Sequence, residues 1–136
     1  TTLWEGGVRV PFLAKWPGRL PAGSLYHEPV IQLDIFRTAL TAAGRSVPSD
    51  RVIDSVDLMP FLDGTAVTVP HENLYWRFGA PSAIRKGAWK LKGGELYNLA
   101  TDIGESTNVA AANPAVVSSL QADLNAWKSE LVPPLW

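Results

Sequence analysis

Residues 73–99, NLYWRFGAPSAIRKGAWKLKGGELYNL, carry the pattern that decides the fold. Short runs rich in aromatic and β-branched residues, Asn73–Phe78, Ser82–Lys86, Ala88–Lys92 and Glu95–Leu99, are separated by Gly79-Ala80-Pro81, by Gly87 and by Gly93-Gly94. Runs of this length broken by turn residues predict an antiparallel meander. In the third run Trp89 and Leu91 share one face and Lys90 and Lys92 the other, which predicts one covered side and one wet side. The cover is encoded downstream. Asn113 is positioned as an N-cap and Pro114 as the first helical residue. Val116, Leu120, Leu124, Trp127 and Leu131 then form one stripe of a helix ending near Pro133.

Upstream the periodicity changes. Val8, Val10, Phe12, Ala14 and Trp16 alternate with other residues, predicting a strand that Pro11 confines to an edge or a bulge and that Pro17-Gly18 ends. A loop runs from Arg19 to Glu28, and Pro29–Leu33 reads as another short strand. Asp34 is a candidate cap for a helix carrying Ile35, Phe36, Ala39, Leu40 and Ala43 and stopping at Gly44. After a loop from Arg45 to about Ile53, Asp57 is a second candidate cap. The short helical stretch behind it holds Pro60 in its first turn and closes at Asp63-Gly64. The expected organisation is therefore residues 1–64 from an α/β-type part, a linker over 65–72, and an α+β subdomain over 73–136.

Composition narrows the chemistry. The chain has 136 residues, 46% hydrophobic and 18% charged, with a formal net charge of −1 and no run of about 20 apolar residues. This argues against a membrane span and against a nucleic-acid phosphate binder. With no cysteine, disulfides, thiolate metal sites and a thiol nucleophile are excluded. His27 and His71 lie in predicted loops without metal-ligand spacing and read as surface histidines. Asp50, Asp54, Asp57 and Asp63 do not match a calcium loop, and no serine sits in a nucleophile elbow. Arg77 and Arg85 on adjacent strands, with Lys86, could face an anion, although a solvated face with surface ion pairs accounts for them as well. Trp76 and Trp89 could form a sugar-stacking platform, but core packing is the simpler expectation.

Several ordered segments resemble the C-terminal portion of the sulfatase family, the arylsulfatase-type enzymes. LWEGGVRVPFLAKWPG (Leu3 to Gly18) is similar to that family's E-G-G-x-R-V-P segment. VIQLDIFRTALTAAG (Val30 to Gly44) resembles D-x-x-P-T-L-L-x-x-A-G, with Arg37 in place of Pro. VIDSVDLMPFLDG (Val52 to Gly64) resembles D-G-x-x-L-x-P-x-L-x-G, with Ser55 in place of Gly. SAIRKGAWKL (Ser82 to Leu91) looks like A-x-R-x-G-x-W-K-L. LYNLATDIGESTNVA (Leu96 to Ala110) resembles L-Y-D-L-x-x-D-P-G-E-x-x-N-L-A, departing at Asn98 and Ile103.

The resemblance implies an alkaline-phosphatase-like α/β parent fold in which this chain contributes a strand and helix of the main domain, then a small four-stranded antiparallel sheet on a C-terminal helix. It implies hydrolysis of a sulfate ester by a formylglycine, made from a Cys or Ser in C-x-P/S-x-R, beside a calcium ion held by Asp and Asn. None of those groups is expected here, and the family's sulfate-contacting Lys lies just before the position of Thr1. The chain alone is thus expected to hold no catalytic or metal-binding residue and to be inactive. Glu5 and Arg9 are expected to have a structural role near the site, through a salt bridge. Arg77, with its loop neighbours through Ala80, is expected at the rim of the substrate pocket. The implied partners are the rest of the sulfatase chain and a sulfated small molecule or glycan, with self-association of the isolated chain through the strand at Val8–Trp16. The absence of cysteines and of N-x-S/T sequons points to a periplasmic or secreted bacterial parent. The competing reading is a non-enzymatic module that holds an anionic glycan.

Overall fold

A computed structural model describes residues 2–133. It divides into two compact units, Thr1–Phe12 with Glu72–Trp136, and Leu13–His71.

The first unit is built on the meander. Strands β1 (Asn73–Arg77), β2 (Ser82–Lys86), β3 (Trp89–Lys92) and β4 (Glu95–Asn98) pair antiparallel in sequence order. The register places Tyr75 opposite Ile84, Ile84 opposite Leu91 and Leu91 opposite Leu96. The turn between β3 and β4 requires positive φ at both central residues, and Gly93 (58°) and Gly94 (87°) supply it without a Cβ penalty. Ile84, Leu91 and Leu96 meet Leu120 and Leu124 of the C-terminal helix, Pro114–Ser129, to form the core, and Val116 and Trp127 pack at its margin. Tyr75 and Trp127 stack with centroids 4.9 Å apart and planes 9° from parallel. Pro114 opens the helix as expected, but the Asn113 side chain does not cap it; its Nδ2 donates instead to the Val109 carbonyl, closing the preceding turn.

The other sheet face is not wet. Leu3 is buried on this unit, and Trp4 lies edge-on to Tyr97 at 5.7 Å and covers the Lys92 ammonium at 3.5 Å from its ring centre. Burial beneath this cover, and a hydrogen bond donated to Glu95, push the Tyr97 phenol up to about 12. The expected strand at Val8–Trp16 does not form. Glu5–Val8 is a single helical turn, α1, with the Gly7 and Val8 amides donating to the Trp4 carbonyl and the Arg9 amide to that of Glu5. Beyond it, Val10 is 73% exposed and no ladder partner meets residues 9–16 among the described residues. Alternation alone thus has no second strand on which to act.

In the second unit, helix α2 spans Asp34–Ala42 and α3 spans Met59–Leu62. The short strand expected at Pro29–Leu33 is instead a turn into α2, because the Ile31 amide is taken by the Asp34 carboxylate rather than by a neighbouring strand. Pro60 sits in the first turn of α3, Asp57 accepts the Met59 amide, and Asp63 accepts the Thr65 amide at its end. The helix Pro114–Ser129 is α4; no described helix is long and apolar enough to cross a membrane.

Candidate functional site

Lys90 is completely buried. Its Nζ lies 2.8 Å from Glu5 Oε1 and 2.9 Å from Glu105 Oε1, with the Trp76 ring centre 5.7 Å away. Arg85 Nη1 approaches the other Glu5 oxygen at 3.8 Å, and the Glu5 amide donates to Glu105 Oε2. Two carboxylates therefore face an ammonium and a guanidinium, so the charges balance. An unpaired ion here would meet a desolvation cost of several kcal/mol; mutual compensation makes the arrangement tolerable.

Backbone geometry commits Glu105 to this task. It is the non-glycine residue with positive φ (53°) among the described residues, a left-handed conformation costing about 1–3 kcal/mol. The loop that imposes it is tied by the Asp102 carboxylate, which accepts the Ser106 and Thr107 amides and the Ser106 hydroxyl. Those backbone bonds, Ser106 first, hold the Asp102 carboxyl below the usual carboxylate range. The cluster clamps the turn α1 onto the sheet from a position 85 residues away in sequence.

Of the residues singled out from sequence, Glu5 lies at the centre of this cluster. Arg9 does not join it: its side chain is exposed and forms no ion pair among the described residues. Arg77 lies on the opposite face, the α4 face, where its Nη2 donates to the Val132 carbonyl at 2.8 Å. The register puts Arg85 with Ala83 and Lys90 on the α1 face, so Arg77 and Arg85 cannot converge on one anion. Lys86 is engaged by Asp123 at 2.9 Å. Trp76 and Trp89 likewise point to opposite faces, and the glycan-stacking platform is not built.

Sequence reading missed Lys90 and Glu105. The face that carries Lys90 also carries Arg85, Lys92 and Glu95, so alternation alone reads it as a solvent face.

His71 is a further correction. It is not a surface residue; its ring is 10% exposed and its Nε2 lies 2.9 Å and 3.0 Å from the two oxygens of the fully buried Asp34. Asp34 does not cap α2. It accepts from the amides of Ile31 and Val56, each at 2.9 Å, and from His71, knotting three segments of the second unit together. Among the described residues no three His, Asp or Glu side chains converge as a metal site. That leaves no carboxylate group to hold calcium among the described residues, and no Ser of this cysteine-free chain stands in the x-P/S-x-R setting a formylglycine needs.

No protein-family model matches the chain. It is 50% identical over 72 residues to mouse (Mus musculus) steryl-sulfatase, a match covering 53% of this chain and 12% of that protein. It is 43% identical over 89 residues to the N-acetylgalactosamine-6-sulfatase of the dog, Canis lupus familiaris, covering 65% of this chain and 17% of the relative. Among solved structures, Ps i-CgsB superimposes with a TM-score of 0.77 at 27% identity, over 89% of this chain and 29% of that one. The four-stranded sheet with its C-terminal helix is an α+β arrangement, consistent with an alkaline-phosphatase-like parent fold. The chain is a relative of the sulfatases and corresponds to the C-terminal portion of those proteins, spanning less than a quarter of the length of the curated relatives it matches.

Proposed function

We propose that the polypeptide to which this chain contributes hydrolyses sulfate esters, and that the chain supplies framework rather than reacting groups. The observation that carries this reading is the 50% identity with a sulfatase over 72 residues, a stretch as long as half the chain. Sulfate-ester cleavage requires a nucleophile, a cation over the sulfonyl oxygens and an acid for the leaving oxygen, held together in one site. In this chain the buried ammonium and carboxylates neutralise one another at 2.8–2.9 Å and are closed to solvent. They have no free valence for a substrate, and their work is to fix α1. Formylglycine, when present, supplies the nucleophile and calcium the counter-charge; both are assigned to the upstream portion, and the chain alone is inactive.

Arg77 keeps guanidinium donors beyond the one given to Val132 and, with the loop through Ala80, suits the rim of the substrate pocket. The substrate class is a sulfated small molecule or glycan, supported by relatives named for a steryl and for an N-acetylgalactosamine sulfate. A periplasmic or secreted bacterial parent fits the absence of cysteine.

Reading the coding sequence upstream of Thr1 tests the assignment. A Lys codon adjacent to Thr1, with a C-x-P/S-x-R motif and paired aspartates further back, is expected; an unrelated upstream domain would overturn it.

A further inference from the structure

Residues 3–5 are fastened to the sheet one after another. Leu3 is buried, Trp4 packs on Tyr97 and over the Lys92 ammonium, and Glu5 is held by Lys90 with its own amide on Glu105. Thr2 adds nothing to that cover, since it is exposed. Its position is fixed all the same. A Cβ at Gly7 would stand 2.8 Å from the Thr2 carbonyl oxygen and 2.5 Å from its hydroxyl, so the chain before α1 lies directly against the Gly7 backbone. Gly6, in the same turn, has open space at its Cβ position, with no atom of the described residues within 4 Å. Neither glycine has positive φ, so it is the approach of Thr2 that calls for glycine, at position 7 alone. Lys90 and Glu105 hold Glu5, Glu5 holds α1, and α1 through Gly7 sets where residue 2 leaves the sheet.

We infer that Gly7, backed by Lys90 and Glu105, is a positioning residue for the reaction of the larger polypeptide, setting the line on which the residues before Thr2 reach the reacting groups. The inference rests on the sulfatase reading above, which assigns those groups to the upstream portion and expects a lysine beside Thr1. A side chain two positions before Thr2 takes its backbone direction from this contact. A methyl at position 7 requires the Thr2 carbonyl to retreat by about 0.6 Å, from 2.8 Å to the 3.4 Å of ordinary contact. Because the Lys90 cluster holds α1, the movement falls on Thr2. Catalysis is sensitive on this scale, where a misplacement of about 1 Å costs about a hundredfold in rate.

Gly7→Ala and Gly6→Ala in the full-length source polypeptide, assayed on an aryl sulfate in calcium-containing buffer, test this. Gly7→Ala is expected to lower kcat/KM about tenfold or more and to raise KM, while Gly6→Ala matches the unmodified protein. Thr2→Gly frees the same backbone without touching the cover, and it is expected to raise KM in the same direction by a smaller factor. A merely structural role for Gly7 reduces the amount of folded enzyme and lowers the maximum rate at unchanged KM. That result, unchanged KM in both Gly7→Ala and Thr2→Gly, or equal losses in Gly6→Ala and Gly7→Ala would overturn the inference. An unmodified full-length protein without activity removes the sulfatase reading instead. The lock on residue 2 is then read by NMR in the 136-residue chain: a Thr2 carbonyl resonance that moves in Gly7→Ala and stays in Gly6→Ala supports it, and equal shifts in both overturn it, so the two failures are separable.

Discussion

Replacing Lys90 by Met is expected to lower the stability of the first unit by about 3–5 kcal/mol, the cost of leaving a buried ion pair without one partner. The substitution keeps the unbranched stem beside Trp76 and removes only the charge, leaving Glu5 and Glu105, both nearly inaccessible, to repel one another across the vacated position. The conformation of Glu105 prevents easy escape, because its left-handed backbone is pinned by the Asp102 loop. Urea unfolding followed by tryptophan fluorescence measures the loss, and faster amide exchange at Gly7 and Val8 locates it in α1. Neutralising all three positions, Lys90→Met with Glu5→Gln and Glu105→Gln, is expected to recover most of the stability, because the penalty belongs to the uncompensated charges. A shift below about 1 kcal/mol for Lys90→Met alone would show that the carboxylates reach water and that α1 is not clamped.

The second large effect lies in the other unit. Asp34→Ala removes the common acceptor of the Ile31 amide, the Val56 amide and the His71 ring, at a position with no solvent to replace it. A buried donor left unpaired costs about 1–3 kcal/mol, so an overall loss of about 3 kcal/mol or more is expected. Asp34→Asn is expected to retain part of this, since the amide oxygen still accepts while the amide nitrogen opposes a donor. Amide exchange at Ile31 and Val56 separates loss of the knot from general destabilisation. If both amides remain protected in Asp34→Ala, the knot is not what holds these segments.

The meander was legible because each of its determinants is local. Gly87 and the Gly93-Gly94 pair break the chain where tight turns require it, and the strands between them fall within a residue of the expected bounds. Helix α4 was legible for the same reason, its stripe being written at helical spacing from Val116 to Trp127. What covers the second sheet face was not legible. Period two assigns Lys90 to a side of the sheet, but whether that side is wet depends on Glu5 and Trp4, brought in from the far end of the chain. Asp34 and His71 show the same limit, since a carboxylate ahead of an apolar helix looks like a cap until a histidine 37 residues later is found on it. The Val8–Trp16 run failed differently: alternation fits a strand, yet a strand exists only where another strand accepts its hydrogen bonds.

The most direct test of the sulfatase assignment is hydrolysis of an aryl sulfate in calcium-containing buffer, by the full-length source polypeptide and by the 136-residue chain assayed side by side. Turnover by the full-length protein and none by the chain is the expected result. Formylglycine-independent turnover by the chain itself, or an inert full-length protein whose upstream residues include the C-x-P/S-x-R motif, would contradict it.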